Sequence, residues 1–213
     1  MTDVAPPRTV RRIGSPAAAA LADLAAIFDD LQTVLLCCER LIPAVRPGVG
    51  KQFDEVVVES LWTTALISYS RCFAGGERGM GLTEDDVEGL ELKGEKLAWH
   101  RMLRRIKKHY ADPAANPRET FTVGIAVTDG VPAGVAITSA HQDPVDEQTV
   151  RQTGALAFAL SKLVDSRIAE HQATVLEGAQ ALTAKELETL DEIEVTGDGA
   201  PPPRPEDDAE GTS

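Results

Sequence analysis

The chain has 213 residues and a formal net charge of −13, with 43% hydrophobic, 26% charged and only 4% aromatic residues. That length holds one domain with a substantial core or two small ones, and the composition is that of a globular protein. No stretch reaches the ~20 apolar residues of a membrane span, and the N-terminal "MTDVAPPRTVRRIGSP" lacks the apolar centre of a secretory signal, so a cytoplasmic protein without a membrane partner is expected.

Residues 1–14 read as a flexible arm. Ser15 followed by Pro16 marks a helix start, a hydroxyl at the cap and a proline where its missing N–H is not needed. Leu21, Leu24, Ala25, Phe28, Leu31, Leu35, Cys38 and Ile42 then recur at helical spacing until "PAVRPGVG" ends the run. A second long helix lies in "QFDEVVVESLWTTALISYSRCFAGG", with Val58, Leu61, Trp62, Ala65, Leu66, Tyr69, Cys72 and Phe73 inward and Gly75 and Gly76 as its stop. Thr83 and Asp86 form a capping box for a short helix. A third major helix follows and ends near Asp112-Pro113, because proline disfavours helix in the residue before it.

The period then changes from helical to two. "TFTVGIAV" puts Phe121, Val123, Ile125 and Val127 on one face, and "GVAIT" repeats the alternation after the turn-forming "TDGVPAG", which makes a β-hairpin at about 119–140. Asp143-Pro144 opens the last long helix, striped by Leu156, Leu160, Leu163, Val164 and Ile168 and continuing toward Val175 and Leu176. Thr183 to Glu186 caps a short final helix. The fold class is therefore mainly α, a bundle of about four principal helices with a β-hairpin inserted before the last long one. It occupies residues 15–190 as one domain. Residues 191–213 hold eight acidic residues against the single Arg204, a net of −7 that leaves −6 for residues 1–190; this Pro-rich tail is expected to be disordered.

Several chemistries are set aside. "PGVGKQF" lacks the spacing and the hydroxyl of a phosphate loop, and "FAGGERGMG" follows no strand. Cys37, Cys38 and Cys72 are odd in number, have no C-x-x-C spacing and fall in helical patterns, so they are expected as buried free thiols. His100, His109, His141 and His171 form no metal-ligating pair, so neither a metal nor a cofactor is expected.

What remains is "WHRMLRRIKKHY". Five cations, Arg101, Arg104, Arg105, Lys107 and Lys108, stand in eight positions without a carboxylate, in a chain with 34 acids. At about 100° per residue, Trp99, Met102, Leu103, Ile106 and Tyr110 form the core face, and Arg101, Arg105 and His109 form one outer row. Cations near a helix C-terminus also suit the macrodipole, and a solvated face is the ordinary reading of a charge run. The sharper reading is an anion site in which arginines hold a phosphate and an imidazole moves a proton.

Arg104 to His109 resembles the R-x4-6-H signature of the HEPN superfamily, small helical proteins of prokaryotic defence and toxin–antitoxin systems. "TALISYSRCFAGG" resembles a segment on the preceding helix of such proteins, and "KHYADP" their K-H-x-A-H segment; the likeness covers roughly residues 17–190. The chain departs from the pattern at Asp112, where the family has a second histidine, and at Arg105, where it has a small polar residue. The resemblance implies a metal-independent ribonuclease or RNA-binding toxin that works as a homodimer, with RNA as substrate and a protein partner or antitoxin. By the resemblance Arg104 would stabilise the phosphoryl charge and His109 would be the general acid or base; the helical wheel instead sets Arg105 beside His109, with Arg104 roughly 140° away, so both arginines are candidates for that role, and Arg101, Lys107 and Lys108 are candidates to bind the anion. The same scaffold also serves as a non-catalytic interaction protein.

Overall fold

In a computed structural model, described here for residues 10–46, 54–73, 79–110, 112, 116 and 119–193, 64% of the described residues are helical, and these residues form six helices and two antiparallel two-stranded sheets. The order is β1 (Val10–Arg11), α1 (Pro16–Val45), α2 (Glu55–Arg71), α3 (Glu84–Gly89), α4 (Lys96–Tyr110), β2 (Glu119–Thr128), β3 (Val131–His141), α5 (Glu147–Gln180), α6 (Ala184–Glu188) and β4 (Glu192–Ile193). The mainly α reading holds.

Helix α1 is the centre. Ser15 caps it by accepting from the Ala18 N–H at 3.1 Å, with Pro16 in the first turn, and its buried stripe runs through Leu24, Ile27, Leu31, Val34, Cys38 and Leu41. Against one side lies α5, antiparallel: Arg46 pairs with Glu147 at one end, and Gly154 faces Cys38 further along. Val150, Leu156, Ala157, Leu160 and Val164 of α5 close this side of the core. Against the other side α2 brings Val58, Trp62, Ala65, Leu66 and Tyr69. Arg71 reaches back to Asp30 (3.1 Å) and the Cys72 thiol to the Ile27 carbonyl, fixing the register of α1 and α2. Asp23 accepts from the N–H groups of Gly79 and Met80 at 2.8 and 3.0 Å, so the chain leaving α2 is also tied to α1.

Three boundaries differ from the sequence reading. The cap of α5 is Asp146, which accepts from Thr149 N–H at 2.7 Å, rather than Asp143. Val10–Arg11 and Glu192–Ile193, assigned to the flexible arm and the tail, pair with one another as β1 and β4, and the Arg11 guanidinium donates to the carbonyls of Glu188 and Leu190. Helix α2 ends at Arg71; Gly75 and Gly76, read as its stop, lie outside the described residues, as do residues 1–9, the "PGVGKQF" loop, Pro113 and the tail from residue 194.

Both capping boxes form. Thr83 and Asp86 exchange hydrogen bonds at the start of α3, and Thr183 and Glu186 do so at the start of α6. The three cysteines are buried and free; burial pushes the Cys38 thiol up to about 12 and raises Cys37 as well. No helix among the described residues is long and apolar enough to cross a membrane.

The hairpin stands apart. Strands β2 and β3 pair from Glu119↔His141 to Thr128↔Val131 with a bulge at Ala126/Val127, around a turn in which Asp129 (φ 52°) and Gly130 (φ 80°) take left-handed backbone. Among the described residues no helix covers it, and almost every residue of both strands is exposed.

Candidate functional site

The sequence directs attention to α4, and the structure decides which way that helix faces. Gly94, at φ 96°, turns the chain just before it, a conformation that glycine adopts without strain. The residues that α4 buries are His100 and Leu103, with Lys96, Leu97, Trp99, Met102, Ile106, Lys107 and Tyr110 half-buried. The buried stripe is therefore turned toward His100 relative to the expected face, and Met102 sits at its margin rather than within it. His100 is the residue that the sequence reading missed.

The rotation has a chemical cause. His100 is fully buried between Tyr69 and Phe73 of the α2 end, its ring centroid 4.3 Å from that of Phe73 and its Nδ1 2.8 Å from the Tyr69 hydroxyl. Its Nε2 is buried without a partner. If Tyr69 O–H donates to Nδ1, one group is left unmatched, the Nε2–H; the reverse arrangement leaves two, so the first is the better assignment. Burial, and then Arg104 one turn along, push the His100 imidazole below its usual range, so it is neutral at pH 7. Burial also raises the Tyr69 phenol. This is an internal fastener between α2 and α4 with no opening to solvent. The i, i+4 pair Tyr69 and Phe73 was the only hint of it.

The outer face of α4 carries the remaining residues. Arg101, Arg104, Arg105, Lys108 and His109 are all exposed, and Lys107 is half-buried. Arg101 is engaged: its Nε and Nη2 donate to the Glu84 carboxylate of α3 at 3.2 and 2.5 Å, which holds the Glu84 carboxyl below its usual range. Arg101 thus anchors α3 rather than standing ready for an anion. Among the described residues no carboxylate pairs with Arg104, Arg105, Lys107, Lys108 or His109.

Arg105 and His109 are one turn apart on the same row, and Arg104 and Lys108 form the next row, with neighbouring Cβ atoms about 5–6 Å apart. Lys107, Lys108 and His109 occupy the last turn, where the helix dipole favours cations and stabilises the cluster without a counter-ion. At about 100° per residue Lys107 falls on the far side of the helix from His109, so the face offered to one anionic strand is Arg105 and His109 with Arg104 and Lys108 beside them. It can hold phosphate oxygens, and the imidazole can accept or give a proton within reach of the Arg105 side chain.

One cleft lies elsewhere and is of opposite character. It lies between the start of α2 and the end of β3, floored by Val58 and Trp62 and rimmed by Glu55, Glu59, His141 and Asp143. Its acidic rim repels a phosphate. No group of three or more His, Cys, Asp or Glu is arranged to hold a metal among the described residues.

Compared with family models, curated proteins and solved structures, the chain matches none of them.

Proposed function

We propose that this is a HEPN-like helical protein that binds RNA through the outer face of α4 and cleaves it at His109, as a cytoplasmic factor of the toxin or defence type held in check by a protein partner. One observation supports this reading above the others: four exposed or half-exposed cations and an imidazole on one helix end, without a carboxylate partner among the described residues, in a chain of net charge −13.

In this reading Arg104 and Arg105 grip the non-bridging oxygens of the scissile phosphate and stabilise the charge that grows on them at the transition state. His109 takes the proton of the ribose 2′-hydroxyl as that oxygen attacks phosphorus. The bond to the 5′-oxygen breaks, and that oxygen leaves with a proton from the conjugate acid of a second group or from water. The product is a cyclic phosphate and a 5′-hydroxyl. Lys107 and Lys108 steer the strand and carry no bond-making role.

The test is cleavage of single-stranded RNA by the purified chain in EDTA, with His109→Ala and Arg104→Ala/Arg105→Ala beside the wild type. Loss of cleavage by about 100-fold or more in both variants, with helicity retained, is the expected result. Binding should weaken with salt, at a slope of about −0.7 per phosphate neutralised. Cleavage that persists in both variants refutes the site.

A second reading, a non-catalytic interaction protein on the same scaffold, is favoured by one specific observation: the bare apolar face of the hairpin. Wild-type protein that binds RNA without cleaving it, or that does neither, would favour this reading.

A further inference from the structure

The β2–β3 hairpin is unlike the rest of the molecule. On one of its faces Phe121, Val123, Ile125 and Val127 of β2 lie beside Ile137 and Val135 of β3, each of the six between 56% and 71% exposed. The other face carries Thr120, Thr122, Gly124, Ala136 and Thr138, small or polar residues suited to water, with Val131 opposite Thr128 at the tip its one large apolar side chain. Alternation of this kind belongs to a sheet with one face against a core, yet among the described residues no core lies beneath it. A two-stranded hairpin is marginal by itself and needs a third strand or a packed layer.

The six side chains leave on the order of 100 Å² each in water, roughly 600 Å² in all, more than the few hundred Å² usual for an exposed apolar patch. Adding the backbone between them brings the face near the ~800 Å² that each partner contributes to a standard interface.

The charge distribution also indicates what fits there. Between Thr120 and Ala140 the only charged residue is Asp129, in the turn. Two chains of net charge −13 repel across most of their surfaces, and this uncharged face is where they can approach. In sequence, residues 1–9, 47–53 and 194–213 are Pro-, Gly- or acid-rich and contain no alternating apolar run that would match this face. Growth along a strand edge is discouraged near the tip, where Pro132 removes a donor from β3 and the bulge at Ala133 bends the same strand. Packing of face against face meets neither obstacle.

We propose that two copies of this chain associate through their hairpins, the apolar face of one against that of the other, as a two-layered four-stranded sandwich with a two-fold axis near Ile125 and Val135. The layers would sit about 10 Å apart, as in other packed sheets, and the same patch would serve on both copies. This interface is independent of whether α4 cleaves RNA.

The test is sedimentation of the full chain and of variants at the centre of the face. Wild type is expected as a dimer. Val135→Glu and Val135→Lys each place like charges across the axis and should weaken it by about 100-fold or more, and Ile125→Thr/Val135→Thr should weaken it without adding charge. Each is checked for unchanged helicity. An equimolar mixture of Val135→Glu and Val135→Lys should restore the dimer, which only hairpin-to-hairpin contact explains. A wild type that stays monomeric at about 100 µM overturns the proposal, as does a dimer indifferent to these substitutions or a mixture that stays monomeric.

Discussion

The buried His100 makes the protein acid-sensitive in a window of its own. Its folded pKa lies below the usual value because burial and Arg104 disfavour the imidazolium, whereas in the unfolded chain it titrates near 6.5. Below that pH the unfolded state binds a proton that the folded state refuses. Stability therefore falls as pH drops from about 6.5 toward the folded pKa, and this contribution is fully present above 6.5. The loss at pH 5.5 has a ceiling of about 1.4 kcal/mol, the value for a ring that takes up no proton in the fold. For an unfolding slope of about 2 kcal/mol/M, the urea midpoint drops by up to about 0.7 M. Carboxylates whose pKa is lowered in the fold, Glu84, Asp86 and Glu186, lose their contributions only at lower pH, within and below the carboxylate range. The assay is urea unfolding at pH 7.5 and 5.5 for wild type and His100→Gln, a side chain that cannot titrate. Exposed His109 and His141 and half-buried His171 are common to both proteins and cancel in the comparison. A midpoint that falls equally in wild type and variant refutes the assignment of the proton to His100.

Two further outcomes follow from the packing. Gly154→Ala in α5 should stabilise the fold by about 0.5–1 kcal/mol, since the new methyl meets Cys38 Cβ and Sγ at 3.5 and 3.8 Å, ordinary contact distances, and the helix interior loses a glycine. A loss of more than about 1 kcal/mol in a thermal or urea melt would mean that α1 and α5 pack more tightly than these distances allow. Asp86→Ala should cost about 2–3 kcal/mol, because it removes the Thr83 capping box and leaves Arg167 of α5 without its carboxylate. Asp86→Asn, which can still accept from Thr83, should cost less, and equal losses in the two variants would refute the Arg167 contribution.

The elements themselves were legible because their signals are local. Ser15-Pro16, Thr83 with Asp86 and Thr183 with Glu186 are caps written within four residues, and each forms as read. The hairpin announced itself through period-two alternation and "TDG", and its apolar stripe is the one anticipated. The cationic composition of α4 was equally plain, and so was the outward placement of His109, because a carboxylate-free run at helical spacing points its charges to solvent.

Only the tertiary structure decided the rest. The seat of α4 depends on which side chain another element welcomes, and Tyr69 and Phe73, some thirty residues earlier, draw His100 inward and turn the helix. Arg101 looks identical to Arg105 in the sequence, yet Glu84 on a different helix claims one and no described carboxylate claims the other. Strands β1 and β4 carry too few residues to signal pairing, and they exist because α1 and α6 bring residues 10 and 193 together. The alternation of the hairpin demanded a covered face, but no sequence pattern says whether the cover comes from its own chain. Local propensity is fixed by neighbours along the chain, whereas partners in space are fixed by how the helices close on one another.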